Sequence, residues 1–176
     1  MLKRTLTISA AVAVAVGIAA CGGSTAPGVQ LAPGGGGTQA AVPTTPTVPA
    51  QLSTKPVVQV PSSCSNTQLV TKDLIPGTGQ VAQAGQSVTV NYVGVLCRTG
   101  KEFDSSWKRN QPFTTTLTSG AGGVIAGWVK GIPGMRVGGR RELIIPASLA
   151  YGKTGSPPTI PPNSPLVFVV DLLSVG

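Results

Sequence analysis

The stretch GKEFDSSWKRNQPF, residues 100–113, places Asp104 directly after Phe103 and within a few residues of Trp107, Arg109 and Phe113. The chain has five acidic residues and no histidine. A Ser-His-Asp or Cys-His nucleophile pair and a histidine metal site are therefore excluded. The Gly-x-x-x-x-Gly-Lys-Ser/Thr pattern of a phosphate loop is absent. Glycoside hydrolysis needs two acids in one cleft, and Glu102 and Asp104 are read as pointing to opposite faces of one strand. No cofactor and no metal is expected. What survives is an apolar, aromatic cleft with a few polar handles. Such a cleft can bind. It can also catalyse a reaction that breaks no covalent bond.

The elements that must position these residues are mostly strands. SVTVNYVGVL, residues 87–96, puts Val88, Val90 and Tyr92 on one face. Arg98-Thr99-Gly100-Lys101 reads as a hairpin turn. Residues 141–145 and 166–173 are two further strands, and an opening strand lies near 68–74, followed by a turn over 75–79. IAGWVKGI, residues 125–132, is the one helix candidate, bounded by Gly122-Gly123 and stopped by Pro133. Residues 151–165, with five prolines, form a long, stiffened, exposed loop. The expected fold class is α+β, an antiparallel sheet with one short helix against it.

Five blocks in unbroken order, VTVNYVGVLCRTGKEFDSSW, RNQPF, VIAGWVKGIPGMRVGGRRELIIP, LAYG and IPPNSPLVFVVDLL, resemble the FKBP-type peptidyl-prolyl cis-trans isomerases. The resemblance runs from about Leu69 to Val175. It implies a half-barrel of about five antiparallel strands wrapped around one short helix, with the pocket between them. Position by position, it implies a floor at Trp128 and walls at Tyr92, Phe103, Phe113, Val124, Ile125 and Phe168. The Tyr151 hydroxyl and the Ile125 backbone N–H would meet substrate carbonyls, and Ile160 would cap one side. Asp104 would lie at the pocket edge with Arg109 beside it. The implied substrates are X-Pro segments, with a macrolide as a possible ligand. The sequence departs from the family pattern at Gly122-Gly123, where larger polar residues are common, at Ser156, where a histidine is common, and at Thr159, where an apolar residue often touches the ligand. These departures bear on substrate preference and macrolide affinity. A non-catalytic binding module or chaperone-like lipoprotein using the same pocket is the rival reading.

The front of the chain is of another kind. Residues 1–20 have a positive start, Lys3-Arg4, and an uncharged Ala/Val-rich run, which reads as a secretory signal. Ile18-Ala19-Ala20-Cys21 resembles a bacterial lipobox, so Cys21 is the expected lipidation site and the membrane an expected partner through that lipid; an ordinary signal with an incidental cysteine is the other reading. Residues 21–62, rich in Gly, Pro and Thr, read as a flexible tether. That leaves 63–176 as one small domain, exported and held on the outer side of the membrane, and expected to be a monomer. Cys64 and Cys97 remain as an even pair in an oxidising compartment, which allows a disulfide and leaves two free thiols as the alternative. Without Lys3 and Arg4, eleven cations face five acids, a net charge of +6. The cations are scattered, with the tightest group at Arg136, Arg140 and Arg141. They read as a solvated surface, and no nucleic-acid partner is expected.

Overall fold

Residues 87–96 carry β-branched or aromatic side chains at most positions, and they form the longest run of sheet together with residues 166–175. The computed structural model describes residues 49–64, 67–120 and 122–176. The signal, Cys21 and most of the tether lie outside them. The strands are β1 (Val70–Ile75), β2 (Ser87–Leu96), β3 (Glu102–Ser105), β4 (Phe113–Thr116), β5 (Arg140–Ile145) and β6 (Leu166–Val175), with one α-helix, α1 (Ala126–Gly131). All pair antiparallel in the order β1-β5-β6-β2-β3, and β4 also pairs with β2. The sheet thus has six strands rather than about five. One edge of β2 is shared. Val93 to Val95 take β3, and Ser87 to Val90 take β4.

The chain leaves the sheet between those two short strands for a physical reason. The Ser106 hydroxyl accepts the Tyr92 N–H at 2.9 Å and donates to Asn91 Oδ1 at 3.0 Å, fixing the exit point. A 3-10 turn, Trp107–Arg109, follows, and Asn110 closes it at φ 50°.

The two faces of the sheet bury different clusters. Val88, Val90, Tyr92, Leu143, Ile145, Leu166, Phe168 and Val170 pack with Trp128 and Ile132 of the helix region. The alternate residues Val93, Val95, Cys97 and Val167 form a second, smaller cluster. A six-residue helix is too short to hold itself in water, so α1 depends on the sheet. Gly127 permits the approach: a Cβ there would lie 2.4 Å from Ile145 Cγ2. Arg141 fastens the far end, donating to the carbonyls of Gly131 (2.8 Å) and Pro133 (3.3 Å) while pairing with Asp73 of β1.

Three expectations change. The tether does not extend to residue 62. Leu52 is 1% exposed and Pro56 is buried, and Val58 packs against the second cluster. Composition could not reveal this, because the apolar surface that receives Val58 belongs to β2 and β6, far along the chain. Arg140 is not a surface group. It forms a buried bidentate pair with Asp171, which is wholly buried, and also donates to the Thr54 carbonyl at 3.0 Å. Arg141 is likewise committed rather than solvated. Of the two readings left open for the cysteines, the structure has the bridge: Cys64 and Cys97 are disulfide-linked with Cα atoms 5.8 Å apart.

Candidate functional site

A cavity of about 630 Å³ is lined by Tyr92 from β2, Phe103 and Asp104 from β3, Arg109 from the 3-10 turn, Phe113 from β4, Trp128 from α1 and Phe168 from β6. Val124 and Ile125 before the helix and Tyr151 after β5 complete it, together with Gly120 and Gly123. The aromatic rings meet edge to face, Tyr92 on Trp128 at 5.3 Å, Trp128 on Phe168 at 5.4 Å and Phe103 on Phe168 at 5.5 Å. Edge-to-face contacts of this kind hold rings in fixed orientations. Gly94 makes room where they cross, since a Cβ there would lie 2.7 Å from both Phe103 Cζ and Phe168 Cε1.

The polar wall is a closed set of hydrogen bonds. The Tyr92 hydroxyl donates to Asp104 Oδ2. Arg109 donates to Asp104 Oδ1 at 2.5 Å and to the Tyr92 hydroxyl at 2.8 Å, with its guanidinium 5.7 Å from the Tyr92 ring centroid. The Ser105 N–H also donates to Asp104 Oδ1, at 2.8 Å. Burial pushes the Asp104 carboxyl up, but the bonds from Tyr92, Arg109 and Ser105 outweigh it and leave the group below the usual carboxylate range. Burial and then the bond to Asp104 push Tyr92 up to about 12. Tyr151 is raised as well, by burial first and by the charge of Asp104 second. Asp104 is therefore a fixed negative charge near neutral pH and a weak base.

The neighbouring acid stays outside. Glu102 and Asp104 separate as expected, but alternation is not the cause, since residues two apart on a regular strand share a face. A register shift in the β2–β3 ladder, where Gly94 faces Asp104 and Val95 faces Glu102, breaks that alternation. Phe103 and Asp104 both line the cavity, and Glu102 turns instead to Lys55 (2.8 Å) and Lys108 (3.1 Å).

Two donors at the cavity have no protein acceptor among the described residues, the Ile125 N–H and the buried Trp128 Nε1. Ile160 is the misplaced residue. It is 4% exposed inside the main core and does not line the cavity, because its backbone bridges to Ser156 and turns the side chain inward. Gly123, named as a departure from the family pattern, lines the cavity, and Gly120 was missed, its only signal being the glycine run before the helix. No group of three or more His, Cys, Asp or Glu suited to a metal occurs among the described residues.

An aromatic cavity between an open antiparallel sheet and one short helix, with a single engaged carboxylate, defines a cleft for apolar segments that works without an acid–base pair. The family model described as FKBP-type peptidyl-prolyl cis-trans isomerase matches residues 79–173. The FK506-binding protein of Streptomyces anulatus is 53% identical over 122 residues, 69% of this chain and 97% of that protein. The probable FK506-binding protein of Corynebacterium glutamicum is 48% identical over 120 residues, 68% and 98% respectively. The crystal structure of AtFKBP13 superposes with a TM-score of 0.55 at 39% identity, covering 61% of this chain and 93% of that one. The chain belongs to the FKBP-type peptidyl-prolyl cis-trans isomerases.

Proposed function

We propose that this chain is a monomeric, lipid-anchored isomerase that speeds X-Pro rotation in exported or envelope proteins, with its domain on the outer side of the membrane. The observation that carries the catalytic part is the Trp128 floor facing the Tyr92–Asp104–Arg109 wall. The planar X-Pro amide is protected by a rotation barrier of about 18–20 kcal/mol, from resonance. Twisting the C–N bond removes that resonance and draws charge off the carbonyl. A dry aromatic cavity therefore disfavours the planar amide more than the twisted one, which is differential binding with no proton transfer. The proline ring seats on Trp128 between Tyr92, Phe113 and Phe168. The Ile125 N–H, without an acceptor among the described residues, takes one peptide carbonyl, and the Tyr151 hydroxyl takes another. Asp104 orients the wall and presents its charge to the rotating group. The same cavity accepts a macrolide such as the FK506 for which the relatives are named.

The anchor rests on Ile18-Ala19-Ala20-Cys21, with residues 21–48 as the tether. One acyl chain binds a membrane only marginally, and two hold it. Uncatalysed isomerisation takes tens of seconds or longer, so a catalyst held at the export face meets chains while they still need it.

Turnover of X-Pro tetrapeptides tests the first part. Tyr151→Phe should slow isomerisation while keeping the wild-type thermal transition, and Trp128→Leu should slow it with a lowered but still cooperative transition, since Trp128 is a core residue. Peptide binding with no turnover by the folded wild type would overturn the enzyme reading in favour of a binding module. Cys21→Ser should move the protein from the membrane to the soluble fraction, and unchanged membrane association would overturn the anchor.

A further inference from the structure

Phe103, Asp104 and Arg109 reach the cavity from a single segment, residues 102–109. The other side of that segment is held by a part of the chain that precedes the family match. Glu102 Oε2 accepts Lys55 Nζ at 2.8 Å, and Glu102 Oε1 lies 3.1 Å from Lys108 Nζ. Trp107 packs against the second apolar cluster, Val93, Val95, Cys97 and Val167, and Val58 and Cys64 pack against the same cluster. Residues 49–64 are themselves pinned at two points, by the Arg140 bond to the Thr54 carbonyl and by the Cys64–Cys97 disulfide.

We propose that residues 49–64 are a strap that positions Asp104 and Arg109 from behind, with Lys55, Glu102 and Trp107 as positioning residues for the isomerisation. The proposal rests on the reading that the Tyr92–Asp104–Arg109 wall serves turnover. The physical link is short. Trp107 and Lys108 immediately precede Arg109, and Glu102 is two residues before Asp104, so fixing them leaves the Arg109–Asp104 bond little freedom. Groups held by packing and by a surrounding shell of hydrogen bonds keep the geometry that a rate depends on.

The test is a double-mutant cycle on the full, oxidised chain, read as kcat/KM for an X-Pro tetrapeptide. Glu102→Gln should lower kcat/KM by about fivefold, within the range of coupling between contacting residues, with the fold kept and the thermal transition only slightly lowered. In an Arg109→Gln background the same change should have no further effect, and Glu102→Asp should recover most of the loss. Additive losses would mark Glu102 as merely structural and overturn the proposal. A carbon-13 titration of Asp104 gives a readout besides rate. Its midpoint should rise in Glu102→Gln and in the Cys64→Ser/Cys97→Ser pair, and an unmoved midpoint in Glu102→Gln would overturn the strap. If Asp104→Asn turns over like wild type, the reading of the wall has failed, and the strap's role in turnover falls with it.

Discussion

Asp104 carries the site as a charge whose position matters more than its basicity. Asp104→Asn keeps the shape and removes the charge. It should cost about tenfold in kcat/KM, one step of 1.4 kcal/mol in the barrier, with the fold intact by circular dichroism. The pH profile is the second residue-scale expectation. Asp104 titrates below the usual carboxylate range, Tyr92 at about 12, and the chain has no histidine. Turnover should therefore be flat between roughly pH 5 and pH 9, and a bell centred near neutrality would contradict the site. Stability follows other carboxylates. The hydrogen bond from Arg141 lowers Asp73, and bonds to Lys55 and Lys108 outweigh burial to lower Glu102. Carboxylates depressed in the fold stabilise it above their unfolded pKa and lose that contribution as pH falls through the folded value. Asp171, raised by burial against the pull of Arg140, offsets part of the loss. Unfolding free energy should hold from neutrality to about pH 5 and fall below about pH 4.

At the scale of elements, most of the site was legible because its residues sit on periodic strands or in blocks with unusual spacing. Val88, Val90 and Tyr92 announce one face by alternation alone. Phe103-Asp104 did not, because two consecutive residues can share a cavity only through a register shift that no local pattern marks. Ile160 failed for a related reason: in a proline-rich loop with no periodicity, the side-chain direction is set by one isolated bridge within the loop, Ser156 to Ile160. The split edge of β2 was also hidden, since two four-residue strands give too little alternation to read. Gly94 offers the clearest test at this scale. Gly94→Ala would press a methyl into Phe103 and Phe168, so it should destabilise the domain by about 1–3 kcal/mol, as overpacking does, and raise KM for apolar X-Pro peptides. Thermal melts and tetrapeptide kinetics check the two effects separately.

For the whole molecule, composition divided the chain at the right kind of place but too late. Residues 49–62 look like linker by content, yet Leu52 and Pro56 are buried and Val58 packs on the second apolar cluster of the sheet. Whether a short apolar run folds depends on surface contributed from elsewhere, which local content does not contain. The disulfide locks this arrangement by closing a separation of 33 residues. Its removal in Cys64→Ser/Cys97→Ser should lower the unfolding free energy by roughly 3–4 kcal/mol, the loop-entropy scale for such a span, as measured by urea titration.

Arg141 joins β1, β5 and the carbonyls at the end of α1. A helix of one and a half turns whose last groups are satisfied from a strand has no independent stability and depends on that strand's pairing. The segment that carries Trp128 should therefore open at a lower cost than the sheet. In hydrogen exchange the amides of 128–132 should report a partial opening, while those of β2 and β6 exchange only when the entire domain unfolds. A ligand seated on Trp128 should close that gap and bring the two sets of amides to a common rate.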